Sequence, residues 1–123
     1  MKLIATIALF VSSFFAAFDV TEDVVNAIKQ GKVTELVKFF DEKVSVKLIN
    51  QEDLLSKTQA EANLKYFFEK HTVKNFTVIH TSNVNSNVQF ITGTLETANG
   101  KFRLSVLLRR NLISQFRIEN ENE

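Results

Sequence analysis

Ser56 to Val84 reads SKTQAEANLKYFFEKHTVKNFTVIHTSNV, and the fold turns on one change of period within it. Ser56-Lys57-Thr58-Gln59 is a capping box, in which the serine hydroxyl accepts from the third helical amide and Gln59 reaches back. Ala60, Leu64, Phe67, Phe68 and His71 then recur at three- and four-residue steps, so they make one broad apolar face of a long helix. After His71 the period drops to two and stays there. Lys74–Val84, Asn87–Ala98, Lys101–Arg109 and Ile113–Glu119 read as four strands. A long capped helix leading directly into a meander has one apolar face to bury, and the sheet supplies the other.

Turn chemistry sets expectations for register. Asn99-Gly100 is the pair that best tolerates positive φ at two successive positions, which predicts a two-residue type I′ loop. Ala98 would then face Lys101, Glu96 would face Arg103, and Leu95 would face Leu104. At the last hairpin, a two-residue loop at Arg110-Asn111 would set Leu104 against Arg117 and waste the core face. A three-residue loop, Arg110-Asn111-Leu112, pairs Val106 with Phe116 and Leu104 with Ile118, with a bulge expected. Asn83, Asn85, Ser86 and Asn87 crowd one connection, where side chains that tolerate left-handed backbone suit a turn.

Ahead of the long helix, Asp19 or Thr21 is placed to cap a first helix, with Glu22 and Asp23 favourable in its first turn. Val24, Val25 and Ile28 form its stripe and Gly31 ends it. A second short helix is expected from Val33 to Phe40, burying Val33, Leu36, Val37 and Phe40. Val44, Val46 and Leu48 alternate with Ser45 and Lys47, the period of a half-buried strand. At the extreme N-terminus Lys2 precedes an uncharged run from Leu3 to Phe18, the pattern of a secretory signal peptide over residues 1–18. The run is short against the roughly 20 residues of a membrane span. The expectation is a single domain over 19–123 that is exported, periplasmic or secreted, with membrane attachment only if the leader stays uncleaved.

Composition narrows the function classes. The chain holds 15 basic and 14 acidic residues in 123, and losing Lys2 with the leader leaves the two balanced. A neutral, interspersed surface gives no field for nucleic acid, and the longest basic run is Arg109-Arg110. There is no cysteine, so neither a disulfide nor a thiolate metal site is available, and packing alone must hold the domain. Eight of the twelve phenylalanines lie beyond the leader, each contributing roughly 1.5–3 kcal/mol if fully buried.

Two helices, a strand, a long helix and a four-stranded meander make an α+β order. Ser56-Lys57-Thr58-Gln59-Ala60-Glu61, Phe67-Phe68, Phe76-Thr77-Val78-Ile79-His80 and Gly93 resemble a family of small exported bacterial proteins of unassigned function. That family has the nuclear transport factor 2-like (cystatin-like) fold. The resemblance covers nearly the whole chain after the leader. It implies a cone: a curved antiparallel sheet packed on about three helices. The family often has a glycine two residues past the histidine, where this chain has Ser82.

The resemblance also implies where chemistry would sit, since superfamily enzymes hold an acid or base inside the cone, where burial tunes it. His80 with Tyr66 is the candidate catalytic pair. The bland alternative is a partly buried His80 that is hydrogen-bonded to a neighbour. His71 reads as a helix C-terminal residue favoured by the dipole. Phe67, Phe76, His80 and Phe90 are candidates for lining a ligand pocket. No metal motif, phosphate loop or nucleophile elbow is present, and no cofactor is implied. The reading is an exported, non-catalytic binding or interaction domain, holding a small apolar ligand or a protein partner. A homodimer through the open face of the sheet (Thr92, Thr94, Arg103, Ser105, Leu107, Arg109) is one form of this. The alternative is an acid–base enzyme, isomerase- or dehydratase-like, using His80.

Overall fold

The computed structural model describes residues 20–85 and 87–121; the leader expected over 1–18 lies outside them, as does Asp19. Helix α1 is Thr21–Gln30 and α2 Val33–Val37; strand β1 is Phe40–Leu48 and β2 Gln51–Ser56. Helix α3, Lys57–Lys70, precedes β3 (Val73–Asn85), β4 (Val88–Thr97), β5 (Gly100–Arg109) and β6 (Leu112–Asn120). The six strands form one sheet in the order β2-β1-β6-β5-β4-β3. All neighbours are antiparallel except β1 and β6, which run parallel, so the curved sheet of this α+β cone is mixed.

The capping box forms as the spacing predicts. Ser56 Oγ accepts from Gln59 N at 3.2 Å and Gln59 Oε1 accepts from Ser56 N at 3.0 Å. Ala60, Leu64, Phe67 and Phe68 are the buried face of α3. Gly31 ends α1 in the left-handed conformation, φ 64°, and its N–H closes onto the carbonyl of Ile28. Thr21 is not a cap: Val20 precedes the helix without a side-chain cap, and Thr21 Oγ1 instead donates to Gln89 Oε1 at 3.1 Å. The second helix stops at Val37 rather than running to Phe40. Phe40 opens β1, where its ring packs against Phe116 with centroids 5.8 Å apart.

Strand β2 is the element that periodicity missed. QEDLLS does not alternate, and the Ile49-Asn50 turn before it lacks a glycine. Ile49 nonetheless takes φ 61°, unusual for a β-branched residue, while its N–H bonds the carbonyl of Ile118 at 2.7 Å. Tertiary pairing holds the turn.

Both later hairpins differ from expectation in an instructive way. β4 and β5 pair Thr97 with Gly100, Glu96 with Lys101 and Leu95 with Phe102, two residues off the expected register, so Glu96 faces Lys101 and Arg103 faces Thr94. The turn residues are Ala98-Asn99, and of Asn99 and Gly100 only the glycine has positive φ, 135°. Thr97 Oγ1 donates to the Gly100 carbonyl at 2.7 Å, and Asn99 Nδ2 reaches the carbonyl of Lys70 at the end of α3, 3.1 Å away. Asparagine is therefore spent on the helix terminus. The type I′ conformation appears at Arg110-Asn111 instead, φ 53° and 66°. There the register is the expected one, Leu104 with Ile118 and Val106 with Phe116. The odd residue is Ser114, bulged between Leu107 and Leu108 pairings, rather than a third loop residue.

Because the β4–β5 shift preserves parity and the Ser114 bulge leaves the β5–β6 register beyond it as expected, β4, β5 and β6 turn the expected face inward. Phe40, Phe76, Phe116, Ile91, Leu95, Leu104, Leu108 and Ile118 are fully buried with Ile28, Leu36 and Leu64 from the helices. No helix among the described residues is long and apolar enough to cross a membrane.

Candidate binding cleft

The inner side of the sheet is occupied by side chains. Gly93 lies where Phe76 crosses β4: a Cβ there would stand 2.9 Å from Phe76 Cε1 and 2.3 Å from the Thr77 carbonyl. Its absence lets the ring lie flat against the strand. Phe67 is buried on α3, its ring edge-on to Phe68 (5.6 Å) and Phe102 (5.9 Å). His71 stacks on Phe67 at 4.2 Å and 13°. Its Nδ1 lies 3.1 Å from the Phe67 carbonyl, which only accepts, so the proton sits on Nδ1. His71 is thus a packed helix-terminal residue.

The other sequence candidates are dispersed. His80 pairs with Thr92 across β3 and β4, is exposed, and its ring makes no hydrogen bond to the described residues. Tyr66 is on the outer side of α3, 62% exposed, with Lys70 Nζ 5.0 Å from its ring centroid. Neither sits in an apolar enclosure, because each falls on a solvent-facing position of its element. Phe90 is half-buried and on the same sheet face as Thr92, away from Phe76; it lines a shallow depression of about 170 Å³ with Thr21, Thr81 and Gln89. The four proposed pocket residues therefore do not enclose one pocket.

The large cavity is on the helix side. A cleft of about 910 Å³ lies between the α1–α2 corner and α3. Ala27, Val33 and Phe68, all buried, and half-buried Phe39 form its apolar floor. Asn26, Gln30, Lys32, Glu35, Lys65 and Glu69 stand round the rim. Two of these charges are already engaged: Lys65 with Glu61 at 3.3 Å and Glu35 with Lys38 at 3.2 Å. Lys32 and Glu69 have no ion-pair partner among the described residues. Periodicity identified Val33 and Phe68 as core residues, but nothing local showed that helix ends separated by Gly31 would leave a groove. Among the described residues no cluster of three or more metal-ligating side chains forms.

The outer face of the sheet carries the residues expected there, and several of its polar groups pair with one another. Thr92 Oγ1 and Ser105 Oγ are 2.7 Å apart. Glu119 accepts from Lys47 at 2.8 Å and from Arg117 at 3.4 Å, while Arg117 also reaches Glu52 at 2.9 Å. The Lys47 hydrogen bond, helped by the charges of Lys47 and Arg117, lowers the Glu119 pKa against the opposing effect of burial.

Comparison with known proteins places this arrangement. The family described as domain of unknown function DUF4783 matches residues 21–120. A DUF4783 protein from Bacteroides uniformis is 35% identical, with a TM-score of 0.79 over 85% of this chain and all of that one. A structure of the Rd1NTF2 series aligns at TM-score 0.62 and 15% identity, over 79% of this chain and 90% of that one. A protein titled a putative polyketide cyclase, from Sinorhizobium meliloti, aligns at 0.61 and 9% identity, over 82% and 99%; both are likenesses of fold alone. No curated protein matches the sequence. With the sheet order, the capped helix and the family match in agreement, the chain belongs to the DUF4783 family of unknown function and has the nuclear transport factor 2-like fold.

Proposed function

We propose that this protein is an exported, non-catalytic binding domain whose ligand sits in the cleft between the α1–α2 corner and α3. The observation that carries the reading is the cleft itself. Its volume of about 910 Å³ is that of a small-molecule site, roughly 300–1,000 Å³ in general, and it joins an apolar floor to a rim of both charges. Such a lining suits a small, largely apolar ligand with a polar end. Burying that ligand on Phe39 and Phe68 supplies affinity, while Lys32 and Glu69 select its orientation. The rim groups are exposed, so none is held in the environment that general acid–base work needs. Export rests on the charged start and apolar run of residues 1–18.

Native mass spectrometry of protein purified gently from its own cells tests both parts. The expected result is a mass beginning near Phe18 or Asp19 with a small molecule retained. Asn26→Trp, placing a bulky ring at the exposed rim, should release that molecule and leave the fold intact by circular dichroism. Retention undiminished in the Trp variant, or no retained molecule in the native protein, would sink the cleft reading. An intact Met1 would sink the cleaved leader.

A further inference from the structure

The two edges of the sheet are built differently. β2 is six residues long, with Glu52 and Asp53 in its middle. β3 is thirteen residues long, and from Asn75 to Asn85 it has no Lys, Arg, Asp, Glu or Pro. Long edges are ordinarily blunted by charge or proline, and β3 has bulges instead. Its pairing with β4 skips Lys74, Ile79 and Val84, so one extra residue is inserted every five. Two of the three are apolar and stand in solvent: Ile79 is 68% and Val84 67% exposed.

We propose that this edge is where two copies of the chain meet, with Ile79 of each copy against Val84 of the other. A two-fold axis between Thr81 and Ser82 reverses the strand and brings the same five-residue spacing back onto itself, so the Ile79–Val84 contact forms twice. A second copy fits better than an unrelated charged partner, because the stretch has nothing to pair with a charge and nothing to repel itself. The equivalent contact through β2 would set Glu52 and Asp53 close to their own copies. The bulges break the edge's regular row of amide groups, so side-chain contact joins the copies rather than a continuous ladder. Contacts this small belong to weak, concentration-dependent pairs.

The chain's lack of cysteine makes the test direct. Ile79→Cys and Val84→Cys variants are mixed under mild oxidation. The expected product is the mixed Ile79/Val84 disulfide, since like positions would lie five residues apart, about 16 Å along the strand. In sedimentation analysis, Ile79→Lys with Val84→Lys should weaken association ~10-fold or more. Leu54→Lys, on a side chain 70% exposed on β2, should leave it unchanged. Three outcomes overturn the proposal. One is a monomer up to ~1 mM, where a millimolar contact is half formed. The others are a dimer indifferent to the lysines, and homodisulfides forming as fast as the mixed one.

Discussion

The inner side of the sheet and the helix-side cleft use the same residue types for opposite ends. Under β4, Phe76 is fully buried and fits only because position 93 lacks a side chain. Between α1–α2 and α3, Phe39 and Phe68 line open space, because the Gly31 turn directs the chain away before a further apolar layer can fill it. The difference teaches that the same ring can fill a core or floor a cleft, depending on what stands opposite it. Here the packed rings lie on the inner side of the sheet, and the open cleft lies at the outer corner of the helices.

The comparison can be broken by substitutions that act on one region and not the other. Phe76→Ala removes a fully buried ring and should cost about 3–5 kcal/mol, read by denaturant unfolding. A smaller loss would mean that the inner side relaxes and is less tightly filled than its geometry implies. Gly93→Ala forces a Cβ against the Thr77 carbonyl and the Phe76 ring, with an expected loss of about 1–3 kcal/mol. A neutral result would show that β3 moves away easily. Ser56→Ala removes the cap that starts the cleft's α3 wall and should cost about 1 kcal/mol, with Ser56→Gly nearer to wild type.

Two smaller effects sharpen the contrast. Glu119 has a pKa lowered from about 4.5, so its pairing stabilises the fold above that pH. The contribution is lost as pH falls through the lowered value. Melting temperature of the native protein should therefore drop more steeply below about pH 4.5 than that of Glu119→Gln, and parallel curves would remove the pair from the account. Lys32→Ala, on the cleft rim, should change stability by less than about 0.5 kcal/mol. A larger change would mean that the rim is structural after all.

How much of this was legible in sequence varies with the range of the forces involved. The α3 cap, the buried positions Val24, Ile28, Leu64, Phe67 and Phe68, and the Leu104–Ile118 register are set by local spacing and side-chain chemistry, whereas Ala27 is buried where Val25 was expected and Val25 is only half-buried. The same spacing placed Phe76 inside the fold and Thr92 and Arg103 on the outer face. It does not carry through to His80. Alternation fixes which side of a strand a residue occupies only while the strand stays regular, and the bulged Ile79 immediately precedes His80.

The sequence by itself determined the periods, the capping box, the Gly31 stop and the parity of β1, β4 and β5, because these rest on backbone geometry within a few residues. Only the tertiary structure decided that QEDLLS would be a strand, that Arg110-Asn111 would take the tight turn, and where the cleft would open. Each of those depends on a partner far along the chain. Ile118 holds Ile49, and the Lys70 carbonyl engages Asn99, while α3 stands across from the α1–α2 corner. A distant hydrogen bond or packed face outweighs the small local preferences of a turn, and local preference is all that a short stretch of sequence records.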